Sequence, residues 1–176
     1  MSMEPDWEKI RKGLKKYEWL MDNLKKVNVS QNLEFQRKYN GFYKVRRGKE
    51  FRDKFYKKLE SLKGKNPTFE EVLTYFWKES KHIEASFSSK FVATINPNLP
   101  VLDSEVLRNL GLKNPSGTDK DRLNKTIKVY GEIRRLHAKR LNSKEGKAQV
   151  SEFNKRFPNS GITDTKKIDL ILWQTR

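Results

Sequence analysis

The sequence predicts an all-α fold, and three observations lead to that prediction. Apolar residues recur with a period of about 3.6 residues in most segments, for example at Ile10, Leu14 and Tyr17. Residues that favour helix starts stand before these segments, and glycine or proline follows many of them. No segment alternates apolar and polar residues over more than a few positions, as a half-exposed strand would. We therefore expect helices throughout the chain.

Local signals place the helices along the chain. Pro5-Asp6 begins the first, Asn40-Gly41 is expected to end the second, and Thr68 with Glu71 forms a capping box for the fourth. Thr163-Asp164 begins the last. The predicted ranges, in chain order, are about 6–27, 30–39, 48–62, 68–77, 85–94, a helix capped by Asp103, 118–141, 144–156 and 163–173.

The expected organisation is a single compact multi-helix domain that spans residues 1–176. A chain of 176 residues is long enough to bury a sizeable core. Turn-forming residues concentrate at 113–117, where Asn114-Pro115 and Ser116-Gly117 follow one another. This stretch is the predicted boundary of a two-lobe arrangement, and the stretch 64–67 is the alternative boundary.

The charge balance points to a polyanionic partner. The chain carries 39 Lys and Arg against 22 Asp and Glu, a formal charge of +17, and nucleic acid is the commonest partner of so basic a protein. No apolar run is long enough to span a bilayer, and the first sixteen residues are too charged for a signal peptide. We expect a monomeric intracellular protein, cytoplasmic or nucleoid-associated, that binds duplex DNA rather than a membrane.

The composition also narrows the chemistry. There is no cysteine, and His82 and His137 are the two histidines. Thiolate nucleophiles and cysteine-ligated metal sites are excluded on this ground. No phosphate-binding glycine loop or paired-carboxylate metal motif is present in the sequence, so we predict no metal and no cofactor. His137, on the long basic helix, is expected to face solvent.

The basic residues form two clusters. Between Arg37 and Lys65 there are twelve basic and three acidic residues, and between Lys120 and Lys147 ten basic and three acidic ones. Each cluster is large enough to neutralise several phosphates, although a charge run can also be a solvated face. The predicted nucleic-acid-binding residues are Arg37, Lys38, Lys44, Arg46, Arg47, Lys49, Arg52, Arg134, Arg135 and Arg140.

The stretch 40–48 within the first cluster has the composition of a binding loop. It joins Phe42 and Tyr43 to basic residues and two glycines. Aromatic side chains in such a loop can stack on an unpaired base. The same two residues can equally belong to the core, and both interpretations stay open.

Asp103 occupies the most informative position in the chain. An extended piece, Leu99-Pro100-Val101-Leu102, precedes it, and Val106 and Leu110 then recur with helical spacing. The carboxylate therefore stands at a helix N-terminus, where the helix dipole favours its charged form. An Asp before a helix is most often an N-cap, and a catalytic role is the second interpretation.

Residues 84–112 resemble a segment of the helix-hairpin-helix DNA glycosylase superfamily. Leu99-Pro100-Val101-Leu102-Asp103 is similar to the turn that leads to the catalytic Asp of adenine glycosylases, and a helix bearing Val106 and Arg108 follows. The stretch Ser86–Thr94 is similar to the Ser- and Ala-rich helix after the hairpin. The family's hairpin carries a Gly-hydrophobic-Gly motif, whereas His82–Phe87 contains no glycine.

The resemblance implies an all-α, two-lobe base-excision enzyme with Asp103 as the catalytic carboxylate. Hydrolysis of an N-glycosidic bond builds positive charge on the sugar, which a carboxylate stabilises, and the target base is extruded into a pocket. Tyr75, Trp77 and Phe87 are candidates for its wall, and Glu84 for a group that contacts the base edge. Bifunctional members carry a Schiff-base lysine; Lys90 lies near that position without aligning with it, so a monofunctional N-glycosylase is expected.

Two other functions compete with this one. The absent hairpin glycines fit a non-catalytic DNA-binding protein on a glycosylase-like scaffold. A helical domain that binds RNA or protein, in which Asp103 only caps a helix, is the third candidate; it requires Asp103 to lie away from any basic groove.

Overall fold

The computed structural model describes residues 4–175, and within that range the chain folds into nine α-helices. No strand occurs in the described part; a single backbone bridge joins Pro5 to Thr175. The helices are α1 (Trp7–Leu24), α2 (Leu33–Tyr43), α3 (Lys49–Leu62), α4 (Phe69–Ser80), α5 (Ala85–Ile95), α6 (Ser104–Asn109), α7 (Asp119–Asn142), α8 (Lys144–Arg156) and α9 (Asp164–Gln174). The all-α prediction is confirmed.

The helix starts follow the predicted capping residues closely. Asp6 accepts a hydrogen bond from the Lys9 amide at 3.0 Å. Thr68 and Glu71 form the reciprocal capping box. Side-chain caps satisfy amides that the first turn of a helix leaves without partners, which explains why these boundaries were predictable.

The end of the second helix was predicted wrongly. Asn40-Gly41 was expected to break it, but α2 continues to Tyr43 and ends at Lys44 in the left-handed conformation, with φ 55°. The extra turn buries Phe42 and Tyr43, and that burial outweighs the weak helix propensity of one glycine. Phe42 and Tyr43 therefore belong to the core.

The interior is built around one buried helix and one aromatic core. Helix α9 is buried along almost its whole length and packs against α1, α6, α7 and α8. On the other side, α2, α3, α4 and α5 share an aromatic core in which Phe55 lies 5.7 Å from Phe76 and 5.4 Å from Phe91, between ring centroids. These groups of helices set the walls of the site described below.

The halves on either side of residues 113–117 are packed together. Phe69 of α4 stacks on Tyr130 of α7, with ring centroids 3.9 Å apart. The Tyr130 hydroxyl also donates to the Pro100 carbonyl at 2.9 Å. The two-lobe arrangement stays a prediction.

The turn from α7 to α8 depends on a glycine. A Cβ atom on Gly146 would lie 1.8 Å from the Arg140 carbonyl oxygen. Because that neighbour is backbone, no side-chain movement relieves the overlap. Gly146 therefore permits the close approach through which α8 folds back along α7.

Candidate functional site

The extended segment before Asp103 is held by buried side chains from three helices. The Asp169 carboxylate of α9 accepts a hydrogen bond from the Val101 amide, with oxygen–nitrogen distances of 3.2 and 3.4 Å. The Ser89 hydroxyl of α5 accepts from the Leu102 amide at 2.8 Å. With the Tyr130 bond to Pro100, this segment has a fixed partner at three successive residues. These contacts fix the position of Asp103, the next residue in the chain.

Asp103 caps α6, and it also lines a cavity. Its Oδ1 accepts a hydrogen bond from the Val106 amide at 2.9 Å. Burial raises the pKa of Asp103, while the Val106 amide and the Lys90 ammonium act in the opposite direction. The helix N-terminus by itself favours the charged form, as expected from the sequence, but desolvation has the larger effect on the pKa of Asp103.

The cavity has a volume of about 720 Å³ and lies between α1, α2, α5, α6 and α9. Phe42, Tyr43, Phe87 and Trp173 form its aromatic wall. The indole nitrogen of Trp173 lies close enough to Asp103 to lower its pKa, yet makes no hydrogen bond of good geometry within residues 4–175. Volumes of about 300–1,000 Å³ with a few convergent polar groups are typical of ligand sites.

Lys90 lines the same cavity from α5 and is 7% exposed. Its ammonium donates to the Tyr43 carbonyl at 2.9 Å. Burial lowers the pKa of Lys90 to about 8, and the nearby Asp103 carboxylate only partly offsets this effect. The sequence did not align Lys90 with the family's lysine, but the fold brings it into the cavity with Asp103.

A second lysine, Lys166 of α9, is buried behind the aromatic wall. It is 2% exposed, and its ammonium nitrogen lies 4.7–5.5 Å from the ring centroids of four aromatic residues. Cation–π attraction stabilises an ammonium in such surroundings. The four rings belong to Tyr17, Phe42, Tyr43 and Trp173.

Glu84 forms another part of the wall. It is 7% exposed, and its Oε1 lies 3.0 Å from Nη2 of Arg47. Burial raises the pKa of Glu84, and the Arg47 guanidinium opposes that shift. Arg47 itself lies over the Phe51 ring at 5.0 Å. Glu84, the carboxylate predicted to contact the base, therefore lines the cavity, where it forms an ion pair with Arg47.

Four of the six predicted catalytic or pocket residues line the cavity: Glu84, Phe87, Lys90 and Asp103. The other two, Tyr75 and Trp77, lie on α4, which does not line it. Tyr75 borders a separate cavity of about 320 Å³ and holds the Lys58 ammonium over its ring. The spacing of Tyr75 and Trp77 along the sequence is compatible with a pocket wall and with a helix face packed on the core. Only the tertiary packing distinguishes these two locations.

Basic side chains surround the cavity entrance, and most of them are not the predicted ones. Lys44 is the member of the predicted set that lines the cavity. It is joined by Lys9, Lys12 and Lys16 of α1 and by Arg122 of α7. The available signal was the spacing of Lys9, Lys12 and Lys16, which places three cations on one helix face.

Several predicted nucleic-acid contacts are engaged with neighbouring residues. Lys38 lies over the Trp19 ring and 3.7 Å from Glu34, and Lys49 pairs with Asp53 at 2.6 Å. On α7, Arg135 pairs with Glu132 at 2.8 Å. Arg140 contacts both Glu145 and Gln149.

Arg134 and Arg135 border a third cavity, of about 390 Å³, together with His137. The prediction that His137 faces solvent is wrong: it is 2% exposed, and its Nε2 lies 3.4 Å from Asp169. Burial lowers the pKa of His137 to about 4. The α7 helix turns this position inward against α9.

Over residues 4–175 the chain brings together no group of three or more His, Cys, Asp or Glu side chains that could hold a metal ion. None of the described helices is long and apolar enough to cross a membrane. Comparisons with protein-family models, with curated proteins and with solved structures found no match.

Proposed function

We propose that the protein is a DNA-binding N-glycosylase that removes a flipped base by hydrolysis, with Asp103 as the key carboxylate. The observation that carries this proposal is that Asp103 opens into an aromatic-walled cavity whose entrance is basic. Aromatic walls accommodate an extruded base, and cations at the entrance attract the phosphates on either side of it. The third candidate, an RNA- or protein-binding domain in which Asp103 only caps a helix, requires Asp103 to lie away from any basic groove. The basic cavity entrance beside Asp103 disfavours that candidate.

The proposed reaction uses Asp103 at the anomeric carbon. The C1′–N bond breaks, and the base leaves with the bonding electron pair. The carboxylate stabilises the positive charge that develops on the sugar. Water then adds to C1′ and gives its proton to Asp103, which passes it to the departing base, so that the base leaves neutral and Asp103 returns to its ionised form. Asp103 must be ionised at the start.

The direct test compares the wild type with Asp103→Asn. Both are incubated with duplex oligonucleotides that each carry one oxidised purine, alkylated purine, deaminated pyrimidine or adenine opposite an oxidised guanine, and abasic sites are revealed with alkali. We expect the wild type to release one of these bases, and the variant to release it at least about 100-fold more slowly, as is typical when a transition-state-stabilising group is removed. Duplex affinity is expected to change little.

The asparagine variant should fold normally. Asn32 caps α2 through the same type of bond, with its Oδ1 accepting from the Phe35 amide at 2.8 Å, so an asparagine amide can replace Asp103 as a cap. Asp6→Asn is the matched control, because Asp6 caps α1 in the same way. Duplex binding without base release by the wild type would favour the non-catalytic alternative, and failure to bind DNA would refute both.

The position of Lys90 favours a second activity at the same site. An amine with a pKa of about 8 is partly neutral near physiological pH and can attack an aldehyde. Condensation of Lys90 with the C1′ aldehyde of an abasic site would form a Schiff base and release water. Borohydride reduction of a mixture with abasic DNA is expected to trap a covalent complex. The complex should be absent with Lys90→Met, and a complex retained by that variant would exclude Lys90.

A further inference from the structure

The α1 surface carries exposed cations whose individual binding partners the proposed function leaves unassigned. Lys12 and Lys16 lie one helical turn apart, are exposed, and line the cavity entrance beside the buried Ile10. Neither forms an ion pair with a carboxylate in the part of the chain that the structure describes. Lys9 lies on the same face, but its ammonium is 3.0 Å from Asp6. The positive charges of Lys12 and Lys16 are therefore not neutralised by a neighbouring carboxylate and are available to a binding partner.

Further basic residues from two other helices flank the cavity entrance. Lys44 extends from the end of α2 and Arg122 from the first turns of α7; both are exposed and line the cavity. The acidic groups at the cavity are largely occupied, since Glu84 pairs with Arg47 and Glu105 with Arg108. The entrance is therefore a basic rim around Asp103, a cavity carboxylate that forms no ion pair in the part of the chain that the structure describes.

The spacing on α1 matches a nucleic-acid strand. A rise of about 1.5 Å per residue places Lys9 and Lys16 about 10 Å apart along the helix axis. One strand of B-DNA rises about 3.4 Å per phosphate, so this length runs past about three phosphates. On α7 and α8 several arginines are instead paired with acids of the same helix, as Arg135 with Glu132 and Arg156 with Glu152.

We propose that one DNA strand runs along the exposed face of α1, with Lys12 and Lys16 each bound to a backbone phosphate and Lys44 and Arg122 to the strand beyond the cavity. This assignment rests on the proposed function for the identity of the polyanion. It makes α1, rather than the Arg134–Arg140 stretch, the main duplex contact. Phosphate contacts of this kind position the duplex and carry no sequence preference.

The test measures the salt dependence of binding to an unmodified duplex of defined sequence. Each phosphate contact contributes about 0.9 to the slope of log affinity against log salt concentration. Lys12→Gln with Lys16→Gln is expected to reduce the slope by about 1.8 and to weaken binding equally for several duplex sequences. The control, Lys15→Gln with Lys26→Gln, removes the same charge from exposed residues of α1 and the turn after it that do not line the cavity.

The slope of the control double variant is expected to stay within experimental error of the wild type. Equal losses in the two double variants would show a diffuse charge effect and would overturn the assignment, as would tighter binding of an RNA duplex of the same sequence. Because the measurement requires no catalysis, a wild type that releases no base leaves the result interpretable. The two proposals can therefore fail separately.

Discussion

The aromatic core and the cavity wall differ in what they bury. The core shared by α3, α4 and α5 contains Phe55, Phe76 and Phe91, three uncharged rings packed against one another. The cavity wall buries Lys90 and Lys166, and neither ammonium has a carboxylate within 4.0 Å in residues 4–175. Buried charge is unfavourable unless it is compensated. The comparison indicates that the first region supplies stability and that the second sacrifices some of it, as the proposed function would require.

The largest expected effect tests the core side of this comparison. Phe55→Ala removes a ring that packs against five other aromatic residues and is fully buried. We expect the free energy of unfolding to fall by about 3–5 kcal/mol, measured by urea denaturation. The activity per folded molecule should be preserved, because Phe55 does not line the cavity. A loss of less than 1 kcal/mol would mean that this core is not the main source of stability.

The second prediction concerns Lys90 and has a defined pH window. Its folded pKa, about 8, lies below the ordinary lysine value of 10.5, so the unfolded chain binds more protons between these values and stability rises with pH there. The full effect is about 3 kcal/mol. Lys90→Met should be more stable than the wild type at pH 7, and the difference should shrink as the pH rises above 8.

That measurement compares unfolding free energies of the two proteins from pH 7 to pH 9.5, and tyrosine ionisation in the unfolded chain, which begins at about pH 9, is common to both and cancels in the difference. A difference that is independent of pH would show that the Lys90 ammonium is not desolvated in solution. Lys15→Met provides a control, because Lys15 is exposed on α1. Its unfolding free energy should follow that of the wild type across the range.

The third prediction separates positioning from stability. Asp169→Ala leaves the buried Val101 amide without its acceptor, which typically costs about 1–3 kcal/mol. We also expect base release to slow, since the segment that carries Asp103 loses one of its fixed contacts. Asp169→Asn keeps an acceptor for Val101 and should restore most of the activity. If neither variant affects the rate constant of base release, Asp169 has only a structural role.

The smallest expected effect concerns backbone strain at the rim. Lys44 and Lys81 adopt left-handed conformations, with φ 55° and 58°, which glycine tolerates better than lysine by about 1 kcal/mol. Lys44→Gly and Lys81→Gly should each raise the free energy of unfolding by up to that amount. Lys44→Gly alone should weaken duplex binding, since Lys44 lines the cavity. Equal duplex affinities of the two variants would show that Lys44 does not belong to the binding surface.

Local chemistry accounts for the parts of the fold that were predictable. Caps at Asp6, Thr68 and Asp103 act within one turn of the chain, so the sequence nearby is sufficient to locate them. The extension of α2 beyond Gly41 was missed because it depends on burial of Phe42 and Tyr43 against distant residues, among them Trp173. Long-range packing of this kind overrides local propensity.

The candidate site shows the same division. Asp103 stood out because a rigid extended segment and a helix start meet at it within a few residues. Lys12 and Lys16 were missed because charge density along the sequence emphasised other stretches, whereas Arg122 lies in the second basic cluster but was not among the predicted contacts. Arg135 and Arg140 lie in such a stretch, but ion pairs with nearby acids occupy them. Which cations are free depends on side-chain partners that a count of residues does not contain.

The sequence by itself determined the helical class, most helix starts and the place of Asp103 at one of them, because periodicity and capping are local interactions. The tertiary structure decided that Asp103, Lys90 and Glu84 share one cavity and that α1 supplies its basic edge. It also decided that His137 is buried. These features arise when helices far apart in the chain pack around α9, and desolvation then changes the pKa of the groups they enclose.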